Sequence, residues 1–231
     1  MKTAFIIPAL NEEQTIGRAL DEIPRSLDAT VIVADNGSTD RTSHVAAAHG
    51  ARVVREPRRG YGNACLRALA HLPPGTEVVV FMDADGSDVP SEASALLDPI
   101  ARGEADLVLG SRVLGKAEAG SLEAHQRAGN ALATLLVRIL YGHHYTDLGP
   151  FRAIRAESLA SLGMCDPNYG WTIEMQIRAL QKGLRVLEVP VSYRRRRGGT
   201  SKVSGNVLGS LKAGAKILWT VARLRLGERG D

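Results

Sequence analysis

The sequence is poor in aromatic residues, cysteine and long apolar runs, and each shortage removes a class of protein. Phe, Trp and Tyr make up 4% of the 231 residues. Proteins that grip single-stranded nucleic acid use aromatic stacking platforms, and neither such a platform nor a recognition helix stands out, so no nucleic-acid partner is expected. Two cysteines, Cys65 and Cys165, are too few for a disulfide framework in a chain of this length. They read as reduced, buried small hydrophobes. No apolar stretch approaches the roughly 20 residues that a membrane-spanning helix needs; the longest candidate, Ala131 to Tyr141, is interrupted by Arg138. The chain runs from Met1, Lys2 and Thr3 straight into an apolar strand, with no pattern of a secretory leader, so a cytoplasmic location is expected. The six histidines are scattered, none with Cys or Asp at a zinc spacing. Gly60-Tyr61-Gly62 lacks a third glycine and does not follow the first strand, which disfavours a nicotinamide-binding reading.

What is present centres on Glu77 to Asp88, EVVVFMDADGSD. Val78 to Met82 form a five-residue apolar run, too short for a typical helix and rich in β-branched residues, hence a strand buried on both faces. It ends in carboxylates. If the extended conformation continues through Ala84, Asp83 and Asp85 project to the same side at the strand's C-terminal edge, where open α/β sheets bind ligands. Paired carboxylates there suit a hard divalent cation and a diphosphate, or a solvated turn.

With 44% hydrophobic and 23% charged residues, the composition is that of a soluble globular chain. Strands are expected at Ala4 to Ile7, Thr30 to Ala34, Arg52 to Arg55, Val78 to Met82 and Asp106 to Leu109, separated by helices, with Ser38 and Thr39 as candidate N-caps of the second helix. That alternation predicts an α/β fold, a Rossmann-like, mostly parallel sheet flanked by helices in a single domain. Val113 to Glu123 reads as a mobile loop over the strand ends. Helices are expected over Arg127 to Tyr141 and Tyr169 to Lys182, with a strand over Val186 to Tyr193 between the latter and Arg194 to Arg197. The net charge is +4, with basic residues crowding the last third, which suggests an anionic partner. Gly198-Gly199-Thr200-Ser201-Lys202 after the arginine run suits a loop closing over a diphosphate. The loop after the first strand, Pro8-Ala9-Leu10-Asn11-Glu12-Glu13, is acidic and so unlike a phosphate cradle.

The Asp-x-Asp, the acidic first loop, Asp35 in VADNGSTD and the late Arg/Ser/Lys loop, in this order, resemble the family 2 glycosyltransferases of GT-A fold. The likeness spans Thr3 to about Lys202, and the polyprenyl-phosphate branch is the nearest. It implies a pocket for the nucleotide's base and ribose at Pro8, Ala9, Asn11, Glu12 and Asp35, and Mg²⁺ or Mn²⁺ on Asp83 and Asp85. It also implies acceptor-phosphate contacts at Arg112 and Arg127, and donor-diphosphate contacts at Arg196, Ser201 and Lys202. Asp147, Phe151 and Arg152 match an Asp…Gly-Phe-Arg element in which Pro150 replaces Gly, and Glu174 matches a glutamate on the following helix. Two positions depart from the pattern: Ser87 stands where close relatives carry Gln, and Tyr61 where Lys is usual.

The resemblance implies an inverting transfer of sugar from a nucleoside diphosphate to a polyprenyl phosphate, or to a hydroxyl. A phosphate acceptor is already anionic and needs only positioning. A hydroxyl needs a base, for which Asp147 and Glu174 are candidates, although each also has a structural reading: Asp147 paired with Arg152, Glu174 bridged within its helix. From a different class, a non-catalytic nucleotide-sugar or polyanion-binding module would tolerate loss of Asp83 and Asp85. Residues 1–203 are expected to form the transferase domain. Residues 204–231 are expected to form a basic amphipathic helix, with Val207, Leu208, Leu211, Ala215, Leu218 and Ala222 on one face and Trp219 at the seam. Such a helix suits either peripheral contact with a membrane surface or packing on the sheet.

Overall fold

The computed structural model describes residues 1–199 and 207–227; Ser201 and Lys202 lie outside the described residues. Seven strands form one sheet: β1 (Thr3–Ala9), β2 (Ala29–Asp35), β3 (Arg52–Arg55), β4 (Val78–Phe81), β5 (Leu107–Ala117), β6 (Arg152–Arg155) and β7 (Val186–Tyr193). Their order is β3-β2-β1-β4-β6-β5-β7. All neighbours are parallel except β6, which is antiparallel to β4 and β5. Helices are α1 (Ile16–Asp21), α2 (Thr42–Ala48), α3 (Tyr61–Leu69), α4 (Ala93–Ala101), α5 (Ala124–Tyr141), α6 (Ala156–Leu162), α7 (Trp171–Gln181) and α8 (Val207–Arg225).

The period-two alternation of the strands divides the core. Phe5, Ile7, Val78, Val80 and Met82 face α1 and α4 through Ile16, Leu20, Leu96 and Ile100. Ile6, Ile32, Val79 and Phe81 face α3, α5, α7 and α8 through Cys65, Val137, Trp171, Ile177, Val221 and Leu224. Phe81 meets the edge of Trp171 at 6.1 Å between centroids. Both faces of β1 and β4 are covered, and the order runs outward from β1 in both directions. The crevice at that reversal is the place the topology leaves for a ligand.

Four expectations need correction. β4 ends at Phe81 and Ala84-Asp85 form a turn, so the two aspartates do not continue an extended strand. Ser38 and Thr39 are not N-caps: α2 starts at Thr42 with Arg41 before it, and Ser38 Oγ instead accepts from Asn11 N at 3.0 Å. Much of the supposed loop after Val113 is strand, since β5 continues to Ala117 and pairs with β7, with an irregularity between Ser111 and Lys116. Glycine allows that approach: a Cβ on Gly115 would lie 2.0 Å from the Val191 carbonyl oxygen. Cys65 is buried as expected, but Cys165 is only partly so and hydrogen-bonds Glu174.

Candidate active site

A cleft of about 590 Å³ opens at the C-terminal ends of β1 and β4. Pro8 and Ala9 at the end of β1, which runs two residues past its expected end at Ile7, and Leu10 and Glu12 after it line the cleft, with Asn36, Arg59, Gly60 and Tyr61, then Asp83, Asp85 and Ser87, and finally Arg112, Tyr193 and Arg196. Its volume is that of a typical small-molecule site.

Asn11 and Asp35 stand behind the wall rather than in it. Asn11 has φ 51°, a left-handed conformation that Asn tolerates. Its Oδ1 accepts from Thr39 N at 2.8 Å, tying the β1 loop to the β2 loop. Asp35 accepts from Ser38 N at 2.8 Å and from Ser43 Oγ at 2.6 Å. Burial pushes its carboxyl up, but these hydrogen bonds outweigh burial and leave it below the ordinary value. Asn36, not singled out in the sequence, holds the next wall: its Oδ1 accepts from Gly60 N at 2.8 Å and its Nδ2 donates to Arg58 O at 2.7 Å.

Carboxylates dominate the floor. Burial, and then the charge of Asp85, push the Asp83 carboxyl up to about 7. Tyr61 hydrogen-bonds Asp83 and opposes that rise. Asp88, which the sequence reading passed over, is buried, accepts from Asp83 N at 2.8 Å and is pushed well above the carboxylate range by burial and by Asp83. Its signal was its place three residues after Asp85, in bridge pairing with Tyr193. Glu12 is raised by burial despite its partner Arg196. Arg196 pairs with both Glu12 oxygens and reaches Asp85 Oδ2 at 3.1 Å, so the segment after β7 closes onto the floor.

On the other side, Arg112 Nε and Nη2 donate to the two oxygens of Asp147 at 2.7 and 2.8 Å, and its guanidinium lies 5.0 Å from the Tyr193 ring centroid. The pairing expected between Asp147 and Arg152 does not form. Arg152 is buried and donates to the carbonyls of Thr172 and Gly149, and Phe151 is in the core. Arg127 is exposed on α5 and does not line the cleft.

Glu174 is fully buried and also absent from the wall. It accepts from Asp166 N at 2.7 Å and Arg178 Nε at 2.9 Å, while Asp166 accepts from Asn168 N at 2.8 Å. This fixes residues 165–170, which carry Asn168 and Tyr169 to the cleft. The same segment backs α3: Asn63 N donates to Pro167 O at 2.9 Å, and a Cβ on Gly62 would meet the Asp166 carbonyl oxygen at 1.8 Å. Glu174 thus acts on the cleft through a backbone segment, not by touching it.

Residues 4–163 match the family described as Glycosyl transferase family 2. The chain is a family 2 glycosyltransferase. It is 35% identical over 229 residues to a dolichyl-phosphate hexose transferase of Haloferax volcanii, covering 98% of this chain and 95% of the relative. It is 31% identical over 247 residues to an undecaprenyl-phosphate mannosyltransferase of Micrococcus luteus, covering 98% and 100%. A solved structure of glucosyl-3-phosphoglycerate synthase from Mycobacterium tuberculosis, in complex with Mn²⁺, UDP and glucosyl-3-phosphoglycerate, superposes with a TM-score of 0.77 at 28% identity, covering all of this chain and 81% of that one. The fold of this glycosyltransferase is therefore GT-A, as the order of its motifs implied. Within it, the two departures fall on the floor of the cleft: Tyr61 beside Asp83, and Ser87, whose N donates to Asp85 Oδ1 at 2.9 Å.

Proposed function

We propose that this glycosyltransferase moves a sugar, with inversion, from a nucleoside diphosphate to a polyprenyl phosphate, using Mg²⁺ or Mn²⁺. The observation that carries the acceptor class is the state of the carboxylates away from the floor. Asp147 is held by both arms of Arg112, Glu174 is buried outside the cleft, and Glu123 at the mouth caps α5. None of the three is left as a base for a hydroxyl, whereas a phosphate oxygen needs none. Arg112, carried in the wall by its pair with Asp147, is the group to orient that phosphate.

The donor set fits a hard divalent cation. Among the described residues no cluster of three or more His, Cys, Asp or Glu stands ready to hold a metal ion, so Asp83 and Asp85 would hold it together with the donor's own phosphates. Asp83, raised by burial and by Asp85, gains most from a cation beside it. Bound there, the ion would supply charge stabilisation for the leaving diphosphate. The chain's own residues do the rest. Pro8, Ala9 and Glu12 enclose base and ribose, with Asn11 and Asp35 fixing their loops. Arg196, with Ser201 and Lys202 after it, closes over the diphosphate and meets negative charge as it develops. The acceptor's phosphate oxygen bonds to the anomeric carbon as the bond from that carbon to the β-phosphate oxygen breaks, and nucleoside diphosphate departs with the electron pair.

The Haloferax and Micrococcus relatives support a lipid-phosphate acceptor. The synthase complexes favour a second reading, transfer to a soluble hydroxyl acceptor. The test is transfer from a panel of UDP- and GDP-sugars to a short-chain polyprenyl phosphate, with products weighed by mass spectrometry. A glycosyl-phospholipid lost in Asp85→Ala is the expected result. Metal-dependent release of nucleoside diphosphate without a lipid product overturns the acceptor and keeps the donor chemistry.

A further inference from the structure

Asp166 is a second fully buried carboxylate behind the cleft, beside Glu174, and its bonds run in two directions. Oδ1 accepts from Asn168 N at 2.8 Å and from Gly170 N at 3.2 Å, which folds residues 166–170 back on themselves. Oδ2 faces α8, where Lys216 Nζ lies at 3.0 Å and Thr220 Oγ1 at 3.4 Å. On its far side this segment presses on the first turn of α3. A Cβ on Gly60 would lie 2.2 Å from Pro167 O and 2.4 Å from Asn168 Oδ1, as close as the approach already noted at Gly62. A Cβ on Gly170 would meet Asp166 Oδ2 and Thr220 Oγ1, each at 2.4 Å. Glycine at 60, 62 and 170 thus lets α3, the 166–170 segment and α8 close onto one another. Tyr61 stands between the first two of these glycines and hydrogen-bonds Asp83. A continuous line of contacts therefore runs from α8 to the floor of the cleft.

We propose that Asp166 and Lys216 are positioning residues for the metal site: their ion pair sets residues 166–168 against the start of α3 and so holds the Tyr61 hydroxyl on Asp83. The role rests on the divalent ion and nucleoside diphosphate proposed above. Neither Asp166 nor Lys216 lines the cleft, so both act through other groups. Fastening α8 to the fold does not require them. Val221 and Leu224 already pack into the core, the Tyr141 hydroxyl donates to Val221 O at 3.1 Å, and Gln181 Nε2 donates to Leu224 O at 3.0 Å. A buried ion pair adds little stability over apolar packing of the same shape, but it fixes one arrangement of the groups bonded to it. Here those groups are the backbone N–H donors of Asn168 and Gly170, in the segment that backs Tyr61. Groups that orient a metal ligand from behind govern metal affinity without touching the ion.

The test measures the dissociation constant of Mn²⁺ with UDP, and separately with GDP, on the full chain by calorimetry, with neither sugar donor nor acceptor present. Tyr61→Phe should weaken Mn²⁺ binding about tenfold or more, as loss of a group that orients a metal ligand. Lys216→Met, on α8 with its side chain 28% exposed, should weaken it about threefold or more, although that residue is outside the cleft wall. Lys216→Arg keeps the charge and should restore binding to within about twofold. Combining Tyr61→Phe with Lys216→Met should fall short of the product of the two effects, since both changes act on one contact. Leu159→Ala, a cavity in the core beneath α6, should lower the melting temperature and leave Mn²⁺ binding unchanged. Unweakened binding in Lys216→Met, full multiplication in the double variant, or equal weakening by Leu159→Ala reduces the ion pair to a support of the fold and overturns the proposal. A wild-type chain that binds Mn²⁺ with neither diphosphate removes the metal reading itself, and the positioning role with it.

Discussion

Replacing Asp147 with Asn separates the two roles a carboxylate can have beside the cleft. Asp147 is 2% exposed and accepts three hydrogen bonds from Arg112, two from the guanidinium and one from the backbone N. Asn keeps the shape and removes the charge, leaving a guanidinium, 14% exposed, without its counter-ion. Removing one partner of a buried pair costs about 3–5 kcal/mol, and the lower end applies because Arg112 keeps the Tyr193 ring and its opening to the cleft. At about 2–4 °C per kcal/mol for a chain of this size, the melting temperature should fall by roughly 6–12 °C. If Asp147 positions Arg112 for a phosphate, the KM for a short-chain polyprenyl phosphate should rise about 10- to 100-fold, the loss of one charged hydrogen-bonded contact. At saturating acceptor, kcat should change little. Arg112→Gln should raise KM similarly, and the double variant should be no worse than Arg112→Gln alone, since both changes remove one interaction. A fall in kcat of about a thousandfold with KM unmoved, additive to Arg112→Gln, would make Asp147 a base and refute the positioning role.

Further outcomes follow from the floor and its supports. Asp83 holds its proton more tightly folded, at about 7, than an ordinary aspartate does at 3.8, so its contribution to stability is greatest at acid pH and falls as pH rises from about 4 through 7. The gain in melting temperature on adding Mn²⁺, which competes with that proton, should therefore be larger at pH 8 than at pH 6 and vanish in Asp83→Asn; a gain independent of pH counts against the assignment. Gly62→Ala, with a Cβ 1.8 Å from a backbone oxygen, should cost about 3 kcal/mol or more in chemical denaturation. Gly129→Ala on α5, where nothing lies within 4 Å, should stabilise by about 0.5–1 kcal/mol; similar melting of the two variants would deny the close approach at Gly62. Arg196→Gln should lower kcat about 10²-fold or more, as loss of a group that meets developing charge. An effect on donor KM alone would limit Arg196 to ground-state binding.

The parts of the fold legible in the sequence were those written in local pattern. Val78 to Phe81, with apolar residues at every position, could only be a strand covered on both faces, and β1 to β4 with their helices followed from the same code. The antiparallel β6 had no such signal, because Arg152 reads as a surface cation, and only the carbonyls of Thr172 and Gly149 make a buried guanidinium tolerable there. The extension of β5 past Ser111 was equally hidden, since Gly115 and Lys116 favour a loop by composition and are held in the strand by β7. At the site, Asp83, Asp85, Glu12, Arg112 and Arg196 could be named from motif order and meet in one cleft. Partnership could not be read. Asp147 pairs with Arg112 on β5 and not with Arg152, five residues away in sequence, because Arg152 starts β6 and its guanidinium is taken by the carbonyls of Thr172 and Gly149.

Tyr61 shows how a departure from family pattern shifts a balance of charge. A lysine at this place would set an ammonium near Asp83, holding its carboxyl down and helping to neutralise a floor made of Glu12, Asp83, Asp85 and Asp88. A phenol contributes a hydrogen bond but no charge, and its own ionisation is pushed well up by burial and by Asp83. The described positive groups lining the cleft are then Arg196, already engaged with Glu12 and Asp85, Arg112, engaged with Asp147, and Arg59, which donates to the Asn36 carbonyl. The remaining charge on Asp83 must be met by a proton or a cation. Burial and Asp85 raise the Asp83 carboxyl, Tyr61 adds no charge to offset them, and a divalent ion on the dyad would supply the positive charge that the floor lacks.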